Sequence, residues 1–211
     1  MATTVYIDGF NLYYGALRRT DYRWLDLQAF CRVLLPSDDI TQIRYFTARV
    51  GPRPGDLQVS ARQQAYLRAL GTLPIVSVHY GHFLSYPTWM PRAQPVGGGH
   101  KRDKVQVLKT EEKGSDVNLA SFMLLDGFQR RYDTAVVISN DSDLCEPVRM
   151  VRHELHLQVG VINPHPADKR SRVLSQDADF FKQVRVSALR RSQFPVQLQD
   201  AKGLFHKPAV W

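Results

Sequence analysis

Two aspartates stand where a short apolar run gives way to a helical pattern. Val5-Tyr6-Ile7-Asp8-Gly9-Phe10-Asn11 is the first such junction, and Ala135-Val136-Val137-Ile138-Ser139-Asn140-Asp141-Ser142-Asp143 is the second. A buried strand that ends in an acid and turns into a helix is how an open α/β sheet presents ligand-binding groups at the carboxyl ends of its strands. A third acidic segment, Glu111-Glu112-Lys113-Gly114-Ser115-Asp116-Val117-Asn118, opens another amphipathic helix. Carboxylates from three segments aimed at one sheet edge repel one another unless a divalent cation or a basic ligand joins them. The chemistry that follows is metal-dependent attack on a phosphodiester. One or two ions would polarise the phosphate and lower the pKa of an attacking water, so that no nucleophile need come from the protein.

Asp8 and Asn11 lie three residues apart across the first turn, where their side chains can converge near the helix N-terminus. Gly9 lets the backbone turn tightly, and Asn11 could hold a water or a phosphate oxygen. Asp141 and Asp143 share one turn, an arrangement that is costly without a cation even though a helix N-terminus offsets part of the repulsion. Asp116 begins a helix carrying Leu119, Ala120, Met123 and Leu124. Helix capping competes as an explanation for each acid taken singly. It does not require Asp8, Asp116 and Asp141 all to fall at junctions of one sheet. Because the acids must be ionised to bind a metal, activity is expected to fall at low pH.

The elements that must position these residues follow from the apolar pattern. Residues 3–8 read as a strand, and 11–35 carry helical spacing broken near Thr20-Asp21, which predicts two helices. Residues 40–50 read as a strand, Gly51-Pro52-Arg53-Pro54-Gly55 breaks the chain, and Asp56 is expected to cap a helix that runs to about Leu70 and stops at Gly71. A strand over 75–84, kinked at Gly81, precedes a segment, 86–104, that combines three prolines, Gly97-Gly98-Gly99 and His100-Lys101-Arg102. That segment reads as a surface loop closing over a substrate, with a short strand at 105–109 after it. Helix 116–130, strand 134–139, helix 143–155 and strand 157–162 then alternate, which implies parallel crossovers. A last helix is predicted over roughly 176–191, followed by an irregular tail that wraps the domain or serves a partner chain. The expectation is one α/β domain: a three-layer α/β/α, Rossmann-like sandwich with a mainly parallel sheet.

Lys and Arg number 28 against 20 Asp and Glu, a formal net charge of +8. A basic chain whose sharpest motifs are acidic divides the labour: the surface attracts a polyanion while a small acidic pocket binds the metal. The two cysteines, Cys31 and Cys145, have no metal-ligand spacing and read as buried free thiols in a reducing compartment. No run is long enough to span a bilayer, so the expected location is the cytoplasm, with no membrane partner. His79-x-x-His82 and His153-x-x-His156 resemble zinc pairs, but three-residue spacing on a strand points side chains to opposite faces, and no third ligand accompanies the second pair. Gly9 and Gly15 do not make a dinucleotide fingerprint.

Tyr6-Ile7-Asp8-Gly9-Phe10-Asn11-Leu12, then Lys113-Gly114-Ser115-Asp116-Val117, then Ser139-Asn140-Asp141-Ser142-Asp143-Leu144 resembles, in order and spacing, the NYN domain family. These are PIN-like ribonuclease domains, and the match is to the LabA-like (DUF88) branch. The resemblance covers roughly residues 1–185 and leaves 186–211 as a helix end and extended tail. It implies a PIN-type fold, a cluster of acids holding Mg²⁺ or Mn²⁺, and cleavage of single-stranded or structured RNA by an endoribonuclease. Carried over by motif, Asp8, Asp116 and Asp141 are the expected metal-binding acids, Asn11 is their polar companion, and Asp143 is a fourth acid. Substrate contacts are expected from Lys113, Ser139, Asn140, Ser142, Lys101 and Arg102. Arg18, Arg19, Arg23 and His100 would extend the rim, while Tyr13, Tyr14 and Trp89 would stack unpaired bases. Self-association into a homo-oligomer is compatible with the tail. The alternative reading is a non-catalytic RNA-binding or scaffold protein that keeps the pocket; a phosphatase acting on small phosphates is disfavoured by the basic surface.

Overall fold

The computed structural model describes residues 1–94 and 104–211. In chain order it contains β1 (Ala2–Asp8), α1 (Gly9–Leu12) running on through a π-turn (Tyr13–Leu17), α2 (Leu27–Leu34), β2 (Asp39–Ala48) and α3 (Val59–Leu70). There follow β3 (Val76–Pro91), β4 (Lys104–Lys113), α4 (Ser115–Phe128) and β5 (Thr134–Ile138). A 3-10 turn (Ser142–Leu144) leads into α5 (Cys145–His153), β6 (Gln158–Asn163), α6 (Arg172–Gln176), β7 (Phe180–Gln183) and α7 (Val186–Arg191), and β8 (Gln197–Asp200) with β9 (Gly203–His206) makes a terminal hairpin. The seven-stranded sheet has the order β4-β3-β2-β1-β5-β6-β7. Its pairs are parallel except β3–β4. From β1 the chain works outward first to one side and then to the other. The order therefore reverses between β1 and β5, and ligands of open sheets bind outside the carboxyl ends at such a reversal.

The two central strands are buried on both faces, which is why they read as unbroken apolar runs. Val5, Ile7, Val136 and Ile138 point into a core shared with Phe30 and Cys31 of α2, Tyr66 and Leu70 of α3, and Leu189 of α7. Tyr6, Ala135 and Val137 point the other way, onto Leu119 and Met123 of α4 and Val148 and Val151 of α5. The result is a three-layer α/β/α arrangement.

Helix α4, which carries Asp116, is fastened to the sheet by a buried charge cluster that the sequence pattern did not reveal. The Asp126 carboxylate is fully buried. It accepts from Arg44 Nε at 2.7 Å and Nη2 at 3.0 Å, from the Tyr6 hydroxyl at 2.8 Å, and from Arg131 Nη1 at 3.0 Å. A buried carboxylate requires this degree of pairing.

The structure corrects several expected elements. The start of the segment read as a loop is strand: β3 continues to Pro91 and pairs with all of β4, from His82↔Lys113 to Pro91↔Lys104. Prolines are tolerated there because β3 has passed the end of β2, whose last partner is Gly81, and its outer stretch pairs on one side only. His100, Lys101 and Arg102 lie outside the described residues. The expected helix over 176–191 is divided into α6, the edge strand β7 and α7. Asp56 does not cap α3; the N-cap residue is Gln58, and the Asp56 carboxylate pairs with Arg62 instead. The tail is not wholly irregular, since β8 and β9 pair and Phe194 and Phe205 are buried in the α2 side core.

Candidate metal centre

Asp8 ends β1 and is itself the N-cap of α1. Its Oδ1 accepts from the backbone N–H of Asn11 at 2.9 Å, and its Oδ2 accepts from the Ser139 hydroxyl at 3.0 Å. The turn admits only glycine at position 9, where an added Cβ would lie 2.6 Å from Tyr45 Cζ and 2.7 Å from the Phe46 carbonyl. Asp141 occupies the matching place after β5, with its Oδ1 accepting from the backbone N–H of Asp143 at 3.0 Å. The two junctions are joined: Asn11 Oδ1 accepts from the backbone N–H of Asn140 at 3.0 Å, and Ser139 Oγ accepts from that of Asp141 at 3.1 Å. Capping and clustering thus coexist, since each cap occupies one side of a carboxylate. Asp116 sits in the first turn of α4, where the N-cap is Gly114 in a left-handed conformation with no side chain to offer.

Asp8, Asp116 and Asp141 each place a carboxylate oxygen within 4.8 Å of the others. Burial raises the Asp8 pKa, partly offset by its hydrogen bonds from Asn11 and Ser139, and Asp141 raises it further. Asp116 is pushed up to about 6 by burial first, then by the charges of Asp8, Asp141, Glu112 and Asp143. Among the described residues, no base is among the causes that set the Asp8 and Asp116 pKa values. An all-oxygen carboxylate set at this spacing fits a hard divalent cation such as Mg²⁺ or Mn²⁺, and lacks the thiolate or imidazole ligands that other metals favour. Asp8, Asp116 and Asp141 are the residues that would hold it.

The acids line an open cleft of about 810 Å³. One wall is the β3–β4 ribbon, through Phe83, Ser85, Leu108, Thr110 and Glu112; opposite stand Asn11, Tyr14 and His165, with Arg53 on the loop after β2. Glu112 was absent from the expected site. It accepts from Ser115 Oγ at 2.6 Å and from Ser115 N at 3.2 Å, and so fixes the start of α4 while adding charge beside Asp116. Its only sequence signal was the Glu111-Glu112 pair, and nothing there showed which acid faces inward. Strand alternation decides it: Glu112 pairs with cleft-lining Phe83, while Glu111 turns away to Lys109 and Lys113.

The remaining expected site residues are dispersed. Asp143 is exposed and outside the 4.8 Å cluster, although close enough for its charge to act on Asp116. Lys113 is exposed and ion-paired with Glu111 at 3.3 Å, so it is not a free phosphate contact. Ser139 is fully buried and orients Asp8 and Asp141 rather than facing a substrate. Asn140 is committed to the neighbouring loop, its Nδ2 donating to the Lys169 carbonyl at 2.8 Å and its Oδ1 accepting from Ser171 N at 2.7 Å. Ser142 is exposed at the 3-10 turn. Tyr14 and Trp89 are exposed, Tyr14 at the cleft and Trp89 on the ribbon. His79 is taken up in packing, stacked on Phe46 at 5.0 Å and bonded to Ser77 Oγ at 3.0 Å. Among the described residues the aspartate triad is the one cluster able to hold an ion.

The fold is an α/β domain with a mostly parallel sheet and an acid cluster at its strand ends, and comparison with known proteins assigns the family. The NYN domain matches residues 2–185, and the chain belongs to this family. It is similar to the 6-hydroxy-3-succinoylpyridine 3-monooxygenase HspA of Pseudomonas putida, 33% identical over 193 residues, covering 81% of this chain and 62% of that protein. The chain thus spans less than two thirds of that relative. Its fold is similar to the crystal structure of a protein of unknown function from Vibrio parahaemolyticus, with a TM-score of 0.56 and 17% identity over 92% of this chain and 96% of the other. No helix among the described residues is long and apolar enough to cross a membrane.

Proposed function

We propose that the protein is a metal-dependent ribonuclease of the LabA-like branch, hydrolysing RNA phosphodiesters at Asp8, Asp116 and Asp141. The observation that carries this reading is the convergence of three carboxylates, from the ends of β1 and β5 and the start of α4, within 4.8 Å. Mg²⁺ or Mn²⁺ held there would supply positive charge against the scissile phosphate and acidify an attacking water. The chain's own residues do the rest. Asn11 and Ser139 lock the two junctions together so that Asp8 and Asp141 keep their spacing, and Asp143 adds an outer negative charge. The formal charge of +8 attracts the RNA backbone toward the open cleft that the acids line. Free Cys31 and Cys145 suit the reducing cytoplasm.

A second reading has its own observation. The relative from Pseudomonas putida is named as a monooxygenase of a substituted pyridine, and an aromatic-lined pocket adjoins the acids here. Oxygen-activating non-haem iron sites are characteristically built from two histidines and one carboxylate. The triad here is all carboxylate, which favours phosphodiester chemistry. Parallel assays separate the two: a labelled single-stranded RNA with Mn²⁺, and 6-hydroxy-3-succinoylpyridine with a nicotinamide reductant and oxygen. RNA fragments without oxygen uptake support the nuclease. Oxygen uptake with consumption of the pyridine substrate, and intact RNA, overturns it.

A further inference from the structure

Beside the acid cleft, a second pocket of about 300 Å³ opens between α1 with its π-turn, the end of β2, and α3. Its walls are rings: Phe10, Tyr13, Tyr45, Tyr66 and Trp211. The last three pack in series, with 6.4 Å between the centroids of Tyr45 and Tyr66 and 5.8 Å between those of Tyr66 and Trp211. Its charge is arginine: Arg18, Arg23, Arg53 and Arg62 against one acidic side chain among the described residues, Asp56, which Arg62 already pairs. Arg18 packs over the Tyr14 ring at 5.3 Å, and among the described residues neither it, Arg23 nor Arg53 has a carboxylate partner. Two donors at this wall, Arg23 Nε and Trp211 Nε1, are shielded from water and donate to nothing in the protein.

We infer that this pocket binds a planar aromatic anion of about nucleobase size, its ring against the aromatic wall and its carboxylate or phosphate on the arginines. The volume is at the small end of ligand pockets, and guanidinium groups pair both kinds of anion through two parallel hydrogen bonds. Phe10, Tyr14 and Arg53 line both this pocket and the acid cleft. A group held here therefore sits next to the acids. On a polynucleotide it is the base and phosphate beside the scissile bond; as a free molecule it is an aromatic acid.

The test uses the full chain in EDTA. Adenosine monophosphate and nicotinate are titrated separately, with tryptophan fluorescence and calorimetry as readouts, for wild type, Arg23→Gln and Arg53→Gln. The expected result is binding of at least one probe with a Kd of ~1 mM or tighter, weakened at least tenfold in one or both variants, with unchanged melting temperature. Arg53 is exposed, so its substitution decides the matter if Arg23→Gln folds poorly. Binding of the nucleotide alone assigns the pocket to nucleic acid, binding of nicotinate alone assigns it to a free aromatic acid, and binding of both shows the shared chemistry. Weaker binding of both probes by folded wild type, or affinities unchanged in both variants, overturns the inference. Because no turnover is read, failure of the nuclease reading leaves these outcomes untouched.

Discussion

Replacing Asp116 by Asn should make the metal-free protein more stable, even though it removes a metal ligand. Asn keeps the side-chain shape and deletes a negative charge that burial disfavours first and that Asp8, Asp141, Glu112 and Asp143 also oppose. The Asp116 pKa is raised from 3.8 to about 6, which at ~1.4 kcal/mol per tenfold change in proton affinity sets a ceiling of ~3 kcal/mol. Asp116 is only partly buried, so solvent screening reduces this to ~1–2 kcal/mol. For a chain of this size that is a rise in melting temperature of ~2–8 °C. The sign with pH follows from the raised pKa. Folded Asp116 holds its proton more tightly than unfolded Asp116, so the penalty is full above pH 6 and fades as pH falls toward 3.8. The assay is thermal unfolding of wild type and Asp116→Asn in EDTA at pH 7.5 and pH 4.5, repeated at pH 7.5 with Mn²⁺. The variant should lead at pH 7.5 and lose most of its lead at pH 4.5. Saturating Mn²⁺ should reverse the order, since an ion at a hundred times its Kd adds ~2.7 kcal/mol to the protein that binds it. A variant less stable than wild type in EDTA at pH 7.5, or a lead independent of pH, would refute the claim that burial and the neighbouring acids disfavour the Asp116 charge.

Three further outcomes are expected. Arg44→Met strands the buried Asp126 carboxylate with Tyr6 and the exposed Arg131, and should cost ~3 kcal/mol or more in urea denaturation; a loss under ~1 kcal/mol would show that Arg131 alone suffices. Gly9→Ala drives a methyl group against Tyr45 and the unyielding Phe46 carbonyl, and should lower stability by ~1–3 kcal/mol in the same assay. Apparent Mn²⁺ affinity, measured by calorimetry, should fall steeply below pH 6, where Asp116 takes up its proton; an affinity flat from pH 7.5 to pH 5 would exclude Asp116 as a ligand.

The central part of the fold was legible because β1 and β5 are buried on both faces and write their sheet position into consecutive apolar residues. Asp8 and Asp141 were visible for the same reason, as the first charges after those runs. The ribbon was not, because its prolines and half-exposed residues carry the composition of a loop and only pairing with β4 makes them a strand. β7 escaped notice as four partly buried residues at a sheet edge. Glu112 and Arg53 reach the cleft through the ribbon register and a loop, neither of which leaves a periodic mark. Asp126 meets Arg44 and Tyr6 across 82 and 120 residues of chain, a distance no local pattern spans.

The most direct test of the account is cleavage of a fluorescent single-stranded RNA by wild type and Asp141→Asn, side by side, with Mn²⁺, with Mg²⁺ and with EDTA. Fragments that require metal and vanish in the variant are the predicted result. Intact RNA bound by both proteins, or cleavage that persists in EDTA or in Asp141→Asn, would contradict it.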